Sequence, residues 1–180
     1  MTKDFTIDTI DVHPGYGADC KNCPLYNDLA LLKLTDHIQF DKNIRHICLP
    51  TKEETLEQTE LIVTGWGKTE TADRSNVLLK VSLKFVDNKK CETIFQEQAR
   101  LDIRIRETQF CAQGDLGSDS CTGDSGGPLI NLNGIFKNQI VGIVSTGASS
   151  CISRFPAFYT NVFEYVKYIQ DYIYRNRKNK

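Results

Sequence analysis

Between Leu79 and Phe85 apolar and polar residues alternate without a break: Leu79, Val81, Leu83 and Phe85 are separated by Lys80, Ser82 and Lys84. A period of two is that of an extended strand, and it lays the four apolar side chains on one face. Other strand-length pieces follow the same logic. Phe5, Ile7 and Ile10 give a looser strand, and Leu29 to Leu34 is a short apolar run. Asn131-Leu132-Asn133-Gly134 reads as a hairpin turn between strands at 128–130 and 140–144. There is no internal repeat and no low-complexity segment. Short strands broken by turn signals predict an all-β fold.

Two stretches depart from this pattern. Residues 41–60 contain Pro50 and the polar Lys52-Glu53-Glu54, and read as a connector between two halves. Near the end, Val162, Val166, Ile169 and Ile173 recur at spacings of four, three and four, which predicts one amphipathic helix. Asn161, with Glu164 three residues on, is a plausible cap for it.

The chain has 180 residues, 40% of them hydrophobic, enough for one core or for two small barrels. Charged residues are 25% of the total and nearly cancel, leaving a formal net charge of -1. Nothing in that balance points to nucleic acid or to an acidic membrane surface. No apolar run approaches the length of a membrane-spanning helix. The short basic tail at 176–180 reads as a solvated terminus. Seven cysteines are many for this length and imply an oxidising, extracellular setting. An odd number leaves at least one without a partner in the chain. The opening Met1-Thr2-Lys3-Asp4-Phe5 has no apolar signal-peptide core, so the expectation is that the natural start lies upstream.

Chemistry concentrates in Asp119-Ser120-Cys121-Thr122-Gly123-Asp124-Ser125-Gly126-Gly127-Pro128. Here Ser125 stands among three glycines, beside a carboxylate and near a cysteine. Glycines free the backbone to turn N–H groups toward one point, where they can hold an oxyanion. A serine in their midst is a candidate nucleophile if a base can take its proton. Taken alone, such a run is more often a simple Gly-rich turn.

The full run closely resembles the nucleophile segment of chymotrypsin-family, trypsin-like serine proteases, and other family segments follow in order. Asn27-Asp28-Leu29-Ala30-Leu31-Leu32 resembles the segment of the triad aspartate. Val63-Thr64-Gly65-Trp66-Gly67 resembles the strand opening the second barrel. Val144-Ser145-Thr146-Gly147 resembles the edge that binds substrate backbone, and Pro156 to Val162 the last strand. The resemblance implies a double antiparallel β-barrel with the first barrel incomplete, plus a C-terminal α-helix. A peptidase domain would then span 1–175. It would comprise the remainder of the first barrel (1–40), a connector (41–60), the second barrel (61–161) and the helix (162–175).

The resemblance also implies roles. Ser125 would be the nucleophile, with the N–H groups of Gly123 and Ser125 forming the oxyanion hole. Asp28 would orient the triad histidine. Asp124 would receive the new N-terminus made by zymogen cleavage. Asp119 would lie at the floor of the primary specificity pocket and select Arg or Lys, with Ser145, Gly147 and Ala157 lining the cleft. Thr146 replaces the family's usual tryptophan, and Ala157 its usual glycine, whose added methyl would narrow the pocket.

No histidine fits the catalytic position. His13 lies in Val-His-Pro-Gly-Tyr, which resembles a surface loop, and His37 and His46 follow Asp28, in the wrong order. Family domains run roughly 200–250 residues. The front, including the histidine and the activation N-terminus, is therefore expected to be missing, and the chain alone to be inactive. Cys91–Cys111 and Cys121–Cys151 match family disulfides. Cys48 resembles the cysteine that tethers the protease domain to a propeptide or clip-like module, as in arthropod clip-domain proteases of extracellular cascades. Cys20 and Cys23 fit no common family pair. A local disulfide, or one to the missing segment, outweighs zinc, because no second Cys or His pair stands at ligand spacing. No cofactor or metal is expected. The expected partners are protein substrates and protease inhibitors. The alternative is a non-catalytic homologue or truncated product that binds or regulates. Retention of Ser125, Asp28 and Asp119 favours the enzyme.

Overall fold

The computed structural model describes residues 3–17, 25–51, 56–57, 59–115, 120–132, 138–147 and 154–178. Asp119, Cys20, Cys23 and Cys151 lie outside them, as does most of the turn expected after Asn131. Two strands, β1 (Ile7–Val12) and β2 (Ala30–Leu34), pair antiparallel as a separate sheet. Six more close into a barrel: β3 (Glu60–Gly65), β4 (Leu79–Val86), β5 (Gln109–Gly114), β6 (Pro128–Asn131), β7 (Gln139–Thr146) and β8 (Ala157–Asn161). Their order is β3-β4-β5-β8-β7-β6, and pairing of β3 with β6 closes the ring. A short helix, α1 (Asn88–Ile94), leads into a π-helical turn at Phe95–Ala99. Helix α2 (Val162–Lys178) ends the fold. The all-β expectation is thus met: a closed barrel, a second sheet and a C-terminal helix.

Alternation decides which side chains fill the barrel. Leu61, Val63, Leu83, Phe110, Ala112, Leu129, Val144 and Tyr159 point inward and form one buried core. On β4, Leu83 is fully buried, and Val81 and Phe85 pack against it. Leu79, expected on the same face, is 43% exposed, because it starts the strand at the barrel mouth where no layer covers it. The outward face of β5 and β8 makes a second cluster. Cys111 and Phe158 meet Val86, Cys91 and Ile103 under α1. Asp87 caps α1 by accepting from the backbone N–H groups of Lys89 and Lys90. The Cys91–Cys111 disulfide joins α1 to β5. Closing a loop with a sequence separation of 20 stabilises by about 3 kcal/mol in the chain-entropy model.

Helix α2 begins as expected, with Asn161 Oδ1 accepting from the Phe163 N–H at 3.3 Å. Its buried stripe is rotated from the aliphatic one read in the sequence. Val162 and Tyr165 are buried, whereas Ile173 is 43% exposed. The tyrosines account for the rotation. Tyr165 Oη donates to Asn27 Oδ1 at 2.8 Å, and Tyr168 Oη to Asp11 Oδ2 at 2.7 Å. His13 packs against both rings. So α2 holds the β1–β2 half of the chain, and its aromatic face does the holding.

Burial, followed by the hydrogen bond to Asp11, pushes the Tyr168 hydroxyl up to about 12 from its ordinary 10.0. A raised folded-state value stabilises below the unfolded value and is lost as pH climbs through the folded one. Stability should therefore fall between pH 10 and about 12, and Tyr168→Phe should shallow that fall. Urea midpoints of the two proteins across this range test it; parallel curves would remove Tyr168 from the effect.

Candidate active site

Asp28 sits just before β2, after Asn27, whose φ of 53° lies in the left-handed region. Asparagine tolerates that conformation better than most residues. Its side chain also bridges to Gly15 O at 2.8 Å and accepts from Tyr165. Both contacts fix the turn that delivers Asp28. The half-buried Asp28 carboxylate accepts from Ser145 Oγ at 2.6 Å. Its backbone carbonyl accepts from Thr160 Oγ1 at 2.8 Å. Asp28 is thus clamped onto the ends of β7 and β8, across from its own sheet.

The segment carrying Ser125 meets the same strand end. Gly126 N donates to Val144 O at 2.8 Å, and Val144 N donates to Gly127 O at 2.9 Å. Val144 adjoins Ser145, so the turn bearing Ser125 and the clamp on Asp28 share one stretch of β7. Gly123 and Gly126 have φ values of 96° and 79°, which L side chains rarely adopt. Ser125 lies exposed between them. Among the described residues, neither the Gly123 nor the Ser125 N–H finds an acceptor. Unpaired donors beside an exposed hydroxyl are one ingredient of a site for an oxyanion.

Asp124 faces the other way. Its carboxylate accepts from Gly67 N at 2.8 Å and from Cys121 N at 3.0 Å. The backbone helps, with Lys68 N donating to Thr122 O at 2.8 Å. Glycine is needed at 65 and 67, because a Cβ at either position would collide with the Asp124 carboxylate. At Gly67 it would stand 2.5 Å from Oδ1. Gly67→Ala should therefore break a charge-assisted bond and destabilise the fold by about 2 kcal/mol. A urea-denaturation midpoint unchanged from the parent would show that the carboxylate relocates freely.

Ala157 is buried in the barrel core, and Gly147 passes close to its methyl, so a Cβ added at Gly147 would meet it at 3.2 Å. Cys48 is half-buried with a free thiol, and its backbone bridges to the start of β7. Cys121 is disulfide-bonded. His13 is committed to the α2 tyrosines and to the Gly15 N–H at 3.1 Å; His46 packs on Phe40. Nothing in the sequence marks Asn27, Thr160 or Tyr165 for a part in the site. Their role emerges only when segments more than a hundred residues apart meet. Gly65 and Gly67 were visible as part of a strand-opening motif, but not as the partners of Asp124.

A half-buried carboxylate and an exposed serine brought to one strand end, with two glycine-framed N–H donors, have the makings of a serine hydrolase site on a closed β-barrel. The Trypsin family model matches residues 1–169, and the chain belongs to that family of serine endopeptidases. Among curated relatives, a CLIP domain-containing serine protease B4 from Anopheles gambiae is 41% identical over 177 residues, covering 95% of this chain and 47% of the relative. Serine protease ea from Drosophila melanogaster is 37% identical, over 94% of this chain and 44% of its own. Phenoloxidase-activating factor 3 from Holotrichia diomphalia is 37% identical, over 93% of this chain and 47% of its own. The chain spans less than half the length of these relatives.

Proposed function

We propose that these residues form the nucleophile-bearing part of a trypsin-like endopeptidase that cleaves protein substrates after Arg or Lys. The observation that carries the reading is the shared strand end of β7. Ser145 Oγ holds Asp28 there, and Val144 pairs with the turn of Ser125. Ser125 Oγ would attack the scissile carbonyl as a base takes its proton. Charge on the carbonyl oxygen would be received by the Gly123 and Ser125 N–H groups. The base would return the proton to the leaving amine, and water would then release the acyl group. Asp28 would keep that base, a histidine, in the productive tautomer.

The base has no candidate among His13 and His46, which are engaged elsewhere, nor in His37, exposed beyond β2. In this reading it comes from sequence outside residues 1–180. So does the ammonium that would pair with Asp124 on activation. The relatives' CLIP and activating-factor names support a zymogen working in an extracellular cascade. The half-buried free thiol of Cys48 suits a disulfide to a clip-like module outside these residues. Protease inhibitors are the expected regulators.

Specificity gives the test. Asp119→Ser in the full-length, activated protease should lower kcat/KM for an arginine ester by about 10⁴-fold, because the substrate cation would be desolvated without a partner. Acylation of Ser125 by a small uncharged reagent should continue. Undiminished cleavage after Arg would remove Asp119 from the pocket.

A further inference from the structure

His13, just after β1, touches α2 and the turn of Asp28 at once. Its backbone N–H donates to Leu29 O at 2.9 Å. Its ring packs against Tyr165 and Tyr168 of α2, with centroids 5.4 and 4.8 Å away. Its Nδ1 accepts the Gly15 N–H at 3.1 Å. An imidazole nitrogen accepts only without its proton, so this geometry holds the neutral tautomer with hydrogen on Nε2.

A short chain of contacts runs from that bond to Asp28. The carbonyl of Gly15 accepts from Asn27 Nδ2 at 2.8 Å, so one glycine is held by His13 on one side and holds Asn27 on the other. Gly15 has no slack there. A Cβ on it would stand 2.9 Å from Asn27 Nδ2 and 3.4 Å from His13 Nδ1. Asn27 keeps its left-handed φ of 53° with both ends of its amide bound, the other end to Tyr165 Oη. Its carbonyl accepts the Leu29 N–H at 2.8 Å, which closes a three-residue turn with Asp28 in the middle. His13 therefore bears on this turn twice, through Leu29 O and through Gly15 and Asn27.

We propose that neutral His13 is a positioning residue for Asp28, and that a proton on Nδ1 loosens the turn that presents it. The proposal rests on the reading of Asp28 as the carboxylate that orients the catalytic histidine. An imidazolium has two N–H donors and no acceptor, so Nδ1–H would oppose the Gly15 N–H and that bond must break. The rest of the surroundings accommodates the charge. Around Tyr165 and Tyr168 stand the carboxylates of Asp11, Asp28 and Glu164, the guanidinium of Arg175 and the hydroxyl of Tyr172. The faces of tyrosine rings also receive a cation. Protonation thus costs the Gly15 bond without expelling the ring, and the slack appears at Asn27.

The test compares the full-length, activated protease with two variants. His13→Leu has no acceptor for the Gly15 N–H. His13→Asn places an amide oxygen where Nδ1 stood and takes up no proton. At about pH 8, His13→Leu should hydrolyse an arginine ester roughly tenfold more slowly than the parent, and His13→Asn should restore most of that loss. Toward about pH 5.5 the ratio of His13→Asn to parent activity should climb about tenfold, because the catalytic histidine titrates in both. A second arm needs no catalysis. In Ser125→Ala protein the side-chain amide of Asn27, followed by nitrogen-15 NMR, should shift with pH, and the same amide should stay flat when His13→Asn is added. A parent without esterase activity would count against the active-site reading, and the Asn27 amide alone would then decide the coupling. An activity ratio that does not change with pH would overturn the proposal. So would an Asn27 amide that does not titrate in the protein that keeps His13, whatever the variants do.

Discussion

Asp28→Asn in the full-length, activated protease should lower kcat by about 10⁴-fold while KM for an arginine ester changes little. The amide is nearly isosteric, and one of its two polar atoms can still accept from Ser145 Oγ, so the clamp at 2.6 Å survives. The lost element is negative charge. A neutral amide can donate to the histidine that should itself donate, and so fixes the wrong tautomer. In the proposed mechanism it also fails to stabilise the imidazolium that would form when Ser125 gives up its proton. Thr160 Oγ1 continues to hold the backbone of residue 28, so the turn after Asn27 keeps its place. A drop confined to kcat separates this electrostatic role from a folding defect. An equal loss of thermal stability and activity would assign Asp28 to structure alone.

A larger deficit, about 10⁶-fold against the complete enzyme, is expected of residues 1–180 by themselves. A serine hydroxyl without a general base is a weak nucleophile, whatever surrounds it. His13 cannot supply the base without leaving Tyr165 and Tyr168 and the Gly15 N–H. The proposed oxyanion donors also depend on the Gly123 turn, and among the described residues Asp124 beside it accepts only from backbone N–H groups. The β1–β2 half adds a second difficulty. Ile10, Val12 and Leu32 are more than half exposed, a sheet face with nothing described against it. Apolar strands left open in this way associate, so the isolated chain should also be prone to aggregate.

What could be read in the sequence was what depends on neighbours along the chain. The alternation in 79–85 located β4; of its inward set Leu83 is buried, Val81 and Phe85 are partly buried against the core, and Leu79 at the strand start is exposed. The helical period located α2, but counting only aliphatic residues chose a face that ends on exposed Ile173. The true face is aromatic, because Tyr165 and Tyr168 satisfy their hydroxyls on Asn27 and Asp11, 138 and 157 residues away. Two elements left no mark that periodicity could find. β5 reads Gln-Phe-Cys-Ala-Gln-Gly, buried on both faces at its start because α1 covers its outer side. α1 is seven residues of mostly polar type; Asp87 before it was the one available signal. At the site, the run around Ser125 announced itself through composition and resemblance. The clamp of Ser145 on Asp28 spans 117 residues and required the folded barrel.

The most direct measurement compares arginine-ester hydrolysis by residues 1–180 with that of the same residues carrying upstream sequence and activated, each beside its Ser125→Ala variant. The extended protease should turn over the ester, and Ser125→Ala should abolish it. The short chain should be indistinguishable from its own Ser125→Ala variant. Turnover by the short chain that disappears in Ser125→Ala would mean that a group within these residues replaces the histidine, and would contradict the account.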